Sequence, residues 1–253
     1  MRILAVAQNT FREAVRDKVL YVLLFFAAVA IFGSKALGWI SIGQDIKIIK
    51  DISLAAVSVF GVLIAIFVGT NLVYKEIDKR TIYTIICRPM WRFEFILGKY
   101  LGLAGLLAVV TFIMTLVAAV YVWTLGGALD AVFFWAALLI YWQLLLVTAL
   151  AVLLSSVTSP ILGAIIVFSA YVVGHATEIL ADLPEHFDGT WAKTAMEFAY
   201  YVLPNLSNFN IRDLAANEVP VEPSYVAWVL AYGAIYTTML LVLAALAFED
   251  KDV

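Results

Sequence analysis

Six stretches of this chain are apolar over about the length that a helix needs to cross a lipid bilayer, and that pattern leaves few folds open. A spanning helix takes roughly 20 mostly apolar residues. The stretches cover 19–40, 54–74, 95–124, 132–154, 161–176 and 225–248. In hydrocarbon each backbone N–H and C=O must find a partner inside its own segment, which a helix provides. The expected fold is therefore all-α: a polytopic membrane protein with about six transmembrane helices in one domain over 1–253. Composition closes the soluble alternative. The chain is 64% hydrophobic and 14% charged, against about half and a quarter in ordinary soluble domains. A water-soluble body of this length has too little interior to hide that excess. No small-residue cleavage motif closely follows Leu20–Phe32, so that run is expected to stay as a span and not to be removed as a signal peptide.

Lysine and arginine in the flanks set the expected orientation. With the N-terminus in the cytoplasm, the inner side holds Arg2, Arg12, Arg16, Lys18, Lys75, Lys79, Arg80, Arg88, Arg92, Lys99 and Lys251. The outer side holds Lys35, Lys47, Lys50, Lys193 and Arg212. Lys47 and Lys50 oppose the trend. An even number of spans returns the C-terminus to the cytoplasm, and the acid-rich segment 177–224 falls outside. The expected location is a plasma membrane, the inner membrane in a bacterium.

Two pieces do not span. Residues 1–18 place Leu4, Ala7, Phe11, Ala14 and Val15 on one helical face, opposite Arg2, Asn9, Arg12, Glu13 and Arg16. That is the pattern of a helix lying in the membrane interface; a cytoplasmic extension of the first span is the alternative. Segment 177–224 mixes polar residues with Trp191, Phe198, Tyr200, Tyr201 and Leu203 before Pro204. It is too broken to span, and reads as short helices dipping into the outer leaflet or as an external cap.

The middles of the expected spans carry no Asp, Glu, Lys or Arg. Ion-driven transporters usually keep such groups there to carry the coupling ion, so their absence argues against that class. The embedded polar side chains are mild: Ser58, Thr70, Asn71, Thr111, Thr115, Gln143, Thr148, Ser169, Thr237 and Thr238. Hydrogen bonds between helices are their expected role. No phosphate-binding GxxxxGK[ST] loop occurs, and neither does HExxH or GxSxG. A net charge of −3 gives no reason to expect a nucleic-acid partner. Cys87 is the one cysteine, which excludes an intrachain disulfide and a thiolate metal cluster within one chain. His175 and Glu178 share a helical face near His186, so a metal pair is conceivable beside a plain interfacial histidine.

Segment 75–94 is far longer than a hairpin between two spans requires. It is charged at both ends and apolar in the middle. Ile82, Ile85 and Ile86 fall at helical spacing, so a short amphipathic helix is expected. Pro89 cannot continue the helical ladder and ends it. Gly98 permits close packing where the third span begins. A solvated loop with basic anchors is the alternative.

These residues resemble the cytoplasmic connection after the second span in permeases of the ABC-2 type. The pattern there is an acidic residue, a Gly- or Arg-Thr pair, an apolar helix, Pro, a basic residue and Leu-Gly-Lys. This chain has Glu76, Arg80-Thr81, Ile85-Ile86, Pro89, Arg92 and Leu97-Gly98-Lys99. Similarity extends to Phe11-Arg12-Glu13 with Arg16, to Leu153-Leu154-Ser155-Ser156-Val157-Thr158, and to the closing Phe248-Glu-Asp-Lys-Asp252, where the usual basic residues are mostly missing. Within the family the chain resembles the subgroup of multi-copper enzyme maturation permeases, although its sequence shows no metal-binding cluster.

The resemblance implies a permease subunit, with no catalysis or cofactor of its own, that pairs with a cytoplasmic ABC ATPase; ATP binds to that partner. Two permeases usually sit on two ATPases. Glu76, Lys79, Arg80, Thr81, Ile82, Ile85, Ile86, Pro89 and Arg92 then form the ATPase-coupling contact. Export is the expected direction, with lipids around the spans and room for an extracytoplasmic partner. Two other readings stand beside it: an ABC-driven mechanical relay acting on an external partner, and a membrane enzyme using His175, Glu178 or Glu185 at the outer surface. Mildly polar spans suit lipids, amphiphilic drugs or peptides as cargo.

Overall fold

The computed structural model describes residues 2–38, 44–78, 92–176 and 203–249. They are helical, with no strand among them. The elements are α1 (Arg2–Val15), α2 (Lys18–Gly38), α3 (Asp45–Asp78), α4 (Arg92–Thr124), α5 (Ala131–Val157), α6 (Pro160–His175), a 3-10 turn (Ser207–Phe209), α7 (Arg212–Ala216) and α8 (Pro223–Glu249). Helices α2, α3, α4, α5 and α8 are long and apolar enough to cross a membrane. The span expected over 161–176 falls on α6. Its 16 residues reach about 24 Å at ~1.5 Å each, short of a hydrocarbon core about 30 Å thick. Helix α3 begins at Asp45, ahead of the span expected from 54. Its first turns carry Asp45, Lys47, Lys50 and Asp51, a charged extension that hydropathy does not register.

The helices alternate in direction, so the bundle has two distinct ends. At one end lie α1, the starts of α2 and α4 and the finish of α8; Phe95 of α4 stacks on Phe248 of α8 with ring centroids 6.0 Å apart. At the other end lie the start of α3, the α4–α5 turn, the finish of α6, and α7. Helix α5 occupies the centre and touches α3, α4, α6, α7 and α8. Leu139, Leu144, Leu146, Ala149, Ala151 and Val152 along it are fully buried. Small residues let α3 come close to it. A methyl group on Gly61 would stand 2.7 Å from Leu144 Cδ1, and one on Gly69 would stand 2.9 Å from the Ala151 Cβ. Between them Ala65 is fully buried. This is the small-residue spacing by which membrane helices gain van der Waals contact, since lipid supplies no hydrophobic drive between them.

Large apolar side chains point outward where a soluble protein would be polar. Phe25 is 65% exposed, Phe112 68% and Trp228 77%. A continuous shell of this kind matches contact with acyl chains.

Helix α1 is a separate element, not the first turns of α2. Backbone bonds from Arg16 N to Glu13 O and Asp17 N to Ala14 O close it. The Asp17 carboxylate then accepts from Val19 N at 3.0 Å and starts α2. Helix α1 packs along α4. A methyl on Gly98 would stand 2.7 Å from Val6 Cβ, and one on Gly102 would stand 2.6 Å from Thr10 Cβ. The close packing expected at Gly98 is therefore present, and α1 is what fills it. The face of α1 turned inward includes Thr10 and Ala14, while Leu4 is 75% exposed. Residue type alone puts Leu4 on the apolar stripe and leaves Thr10 off it, because the inward face is set by the partner helix α4.

Candidate functional site

Two charged regions stand at opposite ends of the bundle. At the α1 end, α3 and α4 pack side by side, and the segment between them is the one expected to couple to a partner. Lys79, Arg80, Thr81, Ile82, Ile85, Ile86 and Pro89 lie outside the described residues. Glu76 falls within α3, two residues before its end, and Arg92 is the first residue of α4. The structure thus brings the two flanks of the segment to one end of adjacent helices.

The start of α4 is held from two sides. Phe95 is buried against Phe248. Lys99, counted in the sequence as a flanking cation, is only 1% exposed; its Nζ lies 4.0 Å from Glu13 Oε2 of α1. The same ammonium sits 5.5 Å from the Phe95 ring centroid, within cation–π range. Through Gly98, Lys99 and Gly102, α1 is bound to the helix that leaves the coupling segment. Lys99 was legible as part of Leu-Gly-Lys, but its burial was not, since a long side chain next to a span normally snorkels to water.

At the other end Lys50 is a second buried cation, also 1% exposed. Its Nζ donates to Glu218 Oε1 at 2.7 Å and lies 3.7 Å from Asp130 Oδ2. One turn earlier on α3, Lys47 Nζ donates to Asn217 Oδ1 at 3.2 Å. Burying an ammonium is costly unless opposite charge meets it, and here the α4–α5 turn and the residues after α7 supply that charge. A cleft of about 720 Å³ opens beside the cluster, lined by Lys35, Asp45, Lys47, Asn217 and Glu218 among others. The hydrogen bond from Lys50 holds the Glu218 carboxyl below the usual carboxylate range; the Lys50 charge adds to this, desolvation opposes it, and Lys47 contributes least. A carboxyl depressed by folding stabilises the fold above its unfolded pKa, and that contribution is lost as pH falls through the depressed value. Thermal melts taken from neutral to acidic pH are expected to show an acid-side loss of stability that is smaller in Glu218→Gln. Identical pH profiles in the two proteins would contradict the pairing.

The embedded polar side chains behave differently from the expectation of cross-helix bonds. Thr70 Oγ1 donates to Ile66 O, Asn71 Nδ2 to Phe67 O, Thr148 Oγ1 to Leu144 O and Thr238 Oγ1 to Ala234 O. All four bond back to their own helix at i−4, where a carbonyl lies within reach of a short side chain without any help from a neighbour. Cross-helix polar contacts do occur at Gln143, whose Nε2 is 3.5 Å from His175 Nε2, and between Tyr100 and Thr237. The Oγ1 atoms of Thr111 and Thr115 are buried and find no hydrogen-bond partner among the described residues.

His175 ends α6, and its Nδ1 lies 3.1 Å from Tyr171 O. Glu178, Glu185 and His186, its expected companions in an outer-surface site, lie outside the described residues. Among the described residues no three His, Cys, Asp or Glu side chains gather as metal ligands.

A family model described as "ABC-2 family transporter protein" matches residues 4–253. No curated protein matches the chain.

Proposed function

The chain belongs to the ABC-2 transporter family, and from that premise we propose that it is the membrane subunit of an ATP-driven exporter worked by a separate cytoplasmic ATPase. Family membership makes it a membrane transport component, a permease of an ABC transporter and not itself a catalyst. The family generally works with a cytoplasmic ABC ATPase. The match over almost the whole length carries the reading.

The finer reading adds the following. Two copies of the chain stand on two ATPases in a plasma membrane, the inner membrane of a bacterium. The chain needs no cofactor, and ATP stays on the ATPase. Residues 76–92 form the docking element, with Ile82, Ile85 and Ile86 against an apolar groove and Glu76, Lys79, Arg80 and Arg92 around it. ATP shifts the assembly only so far as it binds the closed arrangement of the ATPases better than the open one. Closure then moves the paired ends of α3 and α4. The side-by-side packing of these helices supports that route.

A mechanical relay to an external partner is the second reading, favoured by the Lys50 cluster, which ties α3 to segment 203–222. Reconstitution of the permease with its ATPase in sealed vesicles is the test. ATP turnover with accumulation of an amphiphile supports export; turnover with no cargo moved supports the relay; no stimulation of turnover sinks both.

Both termini and Lys79 are expected on the cytoplasmic side, with Asp45, Asp130 and Asp188 outside. Single cysteines in a Cys87→Ser background report this with an impermeant thiol reagent. Labelling of position 130 or 188 from the cytoplasmic side alone would invert the orientation.

A further inference from the structure

We propose that Lys50 is a positioning residue that joins α3 to segment 203–222, so that movement of α3 at its far end is delivered to this outer cap. The inference rests on the permease reading above and adds to it the point where force leaves the membrane domain.

Three observations carry it. The first is that α3 runs unbroken for 34 residues from Asp45 to Asp78, about 51 Å at ~1.5 Å per residue. One end leads into segment 79–91; Lys47 and Lys50 stand near the other. A continuous helix transmits displacement along its axis, because each backbone hydrogen bond would have to break for it to fold.

The second is the form of the attachment. Two lysines one turn apart on α3 grip two successive residues, Asn217 at 3.2 Å and Glu218 at 2.7 Å. Two points of attachment resist pivoting where one does not. Asp130 of the α4–α5 turn, 3.7 Å from Lys50 Nζ, brings a third element to the same cation. The cap is a packed body and not a loose loop: Leu206, Phe209, Ile211 and Ala215 are all 3% exposed or less. It touches α3 and α5 through α7 and α6 through the bond from Leu206 N to Gly174 O.

The third is how the receiving residue is set. Glu218 has φ of 60°, the one non-glycine residue with positive φ among those described. It follows the end of α7, where the bond from Val219 N to Leu214 O at 3.0 Å closes a left-handed C-cap. The turn is fixed by α7 itself, so a pull on the Glu218 carboxylate acts on α7 as a unit. An apolar side chain on a buried helix face would serve a brace without the cost of burying an ammonium.

The test uses the full chain with its ATPase in nanodiscs, in a Cys87→Ser background. Spin labels at Asp213→Cys on α7 and Trp228→Cys on α8 report the cap's distance from the bundle. In the parent, ATP binding is expected to shift this distance. In Lys50→Met the coupling between nucleotide and cap is expected to fall about tenfold or more, with ATP turnover and co-purification near the parent level. The exchanged pair Lys50→Glu with Glu218→Lys is expected to recover part of the shift. Glu218→Gln preserves size and serves if Lys50→Met does not fold. An unchanged shift in Lys50→Met or Glu218→Gln would reduce Lys50 to a brace and overturn the proposal. So would a parent that hydrolyses ATP without moving the cap. A parent that neither binds nor stimulates an ATPase overturns the permease reading itself, and this inference with it.

Discussion

Ile85→Asp is expected to abolish capture of the ATPase and the ATP turnover that depends on it. Few residues of an interface dominate its binding, and they are apolar or aromatic anchors in a desolvated centre; rim charges contribute less. In segment 75–94 the candidates for such anchors are Ile82, Ile85 and Ile86, flanked by Glu76, Lys79, Arg80 and Arg92. An aspartate at position 85 removes an anchor and leaves a carboxylate unpaired in a dry contact, which is the expensive way to break an interface. The expected loss is about 2–4 kcal/mol, or roughly 30- to 1000-fold in Kd. Arg80→Ala is expected to cost less, since a rim cation is screened by water and salt. Insertion is expected to survive both changes, because neither position lies in an expected span. Co-expression followed by co-purification and an ATP-turnover assay decides. A properly inserted Ile85→Asp protein with parental capture and turnover would remove this segment from the coupling route.

Gly69→Ala is expected to destabilise the bundle by about 1–3 kcal/mol, the usual cost of a methyl forced into a packed interior. The added carbon would stand 2.9 Å from Ala151 Cβ, with its next neighbour, Leu103 Cδ1, at 3.8 Å. The clash is therefore with one methyl on α5. Removing that methyl should restore the fit, so Gly69→Ala with Ala151→Gly is expected to melt above Gly69→Ala alone. Gly33→Ala is the control: a methyl there meets nothing within 4 Å, and alanine is the better helix former. Its melting temperature is expected to be unchanged or slightly raised. Thermal melts of the detergent-solubilised protein compare these three variants with the parent. Failure of Ala151→Gly to rescue would mean that α3 and α5 are not held at this spacing.

Hydropathy made α2, α3, α4, α5 and α8 legible because the bilayer imposes one length and one polarity on any helix that crosses it. Motif spacing made the family legible for a related reason: the order of Glu76, Arg80-Thr81, Pro89 and Leu97-Gly98-Lys99 is read from the chain with no partner needed. Gly98 was readable as a close approach, since only a missing side chain allows one. The helix that fills it was not readable. Which face of α1 turns inward depends on the groove offered by Gly98 and Gly102, and a stripe drawn by residue type put Leu4 where Thr10 belongs.

The lysines mark the division most sharply. From sequence, Lys50 and Lys99 are two cations in span flanks, and the rule that places such residues assumes water or headgroups around them. Their burial is produced mainly by groups far away along the chain, Glu218 and Asp130 for Lys50 and Glu13 for Lys99, with the Phe95 ring one turn back also facing the Lys99 ammonium. A charge can leave water only where opposite charge or a ring face replaces its hydration. Bilayer length and residue order are properties of the chain by itself, so the sequence alone determined five long spans and the family. Replacement of a hydration shell needs opposite charge or a ring face brought against the ammonium, and only the folded bundle decided where those stand.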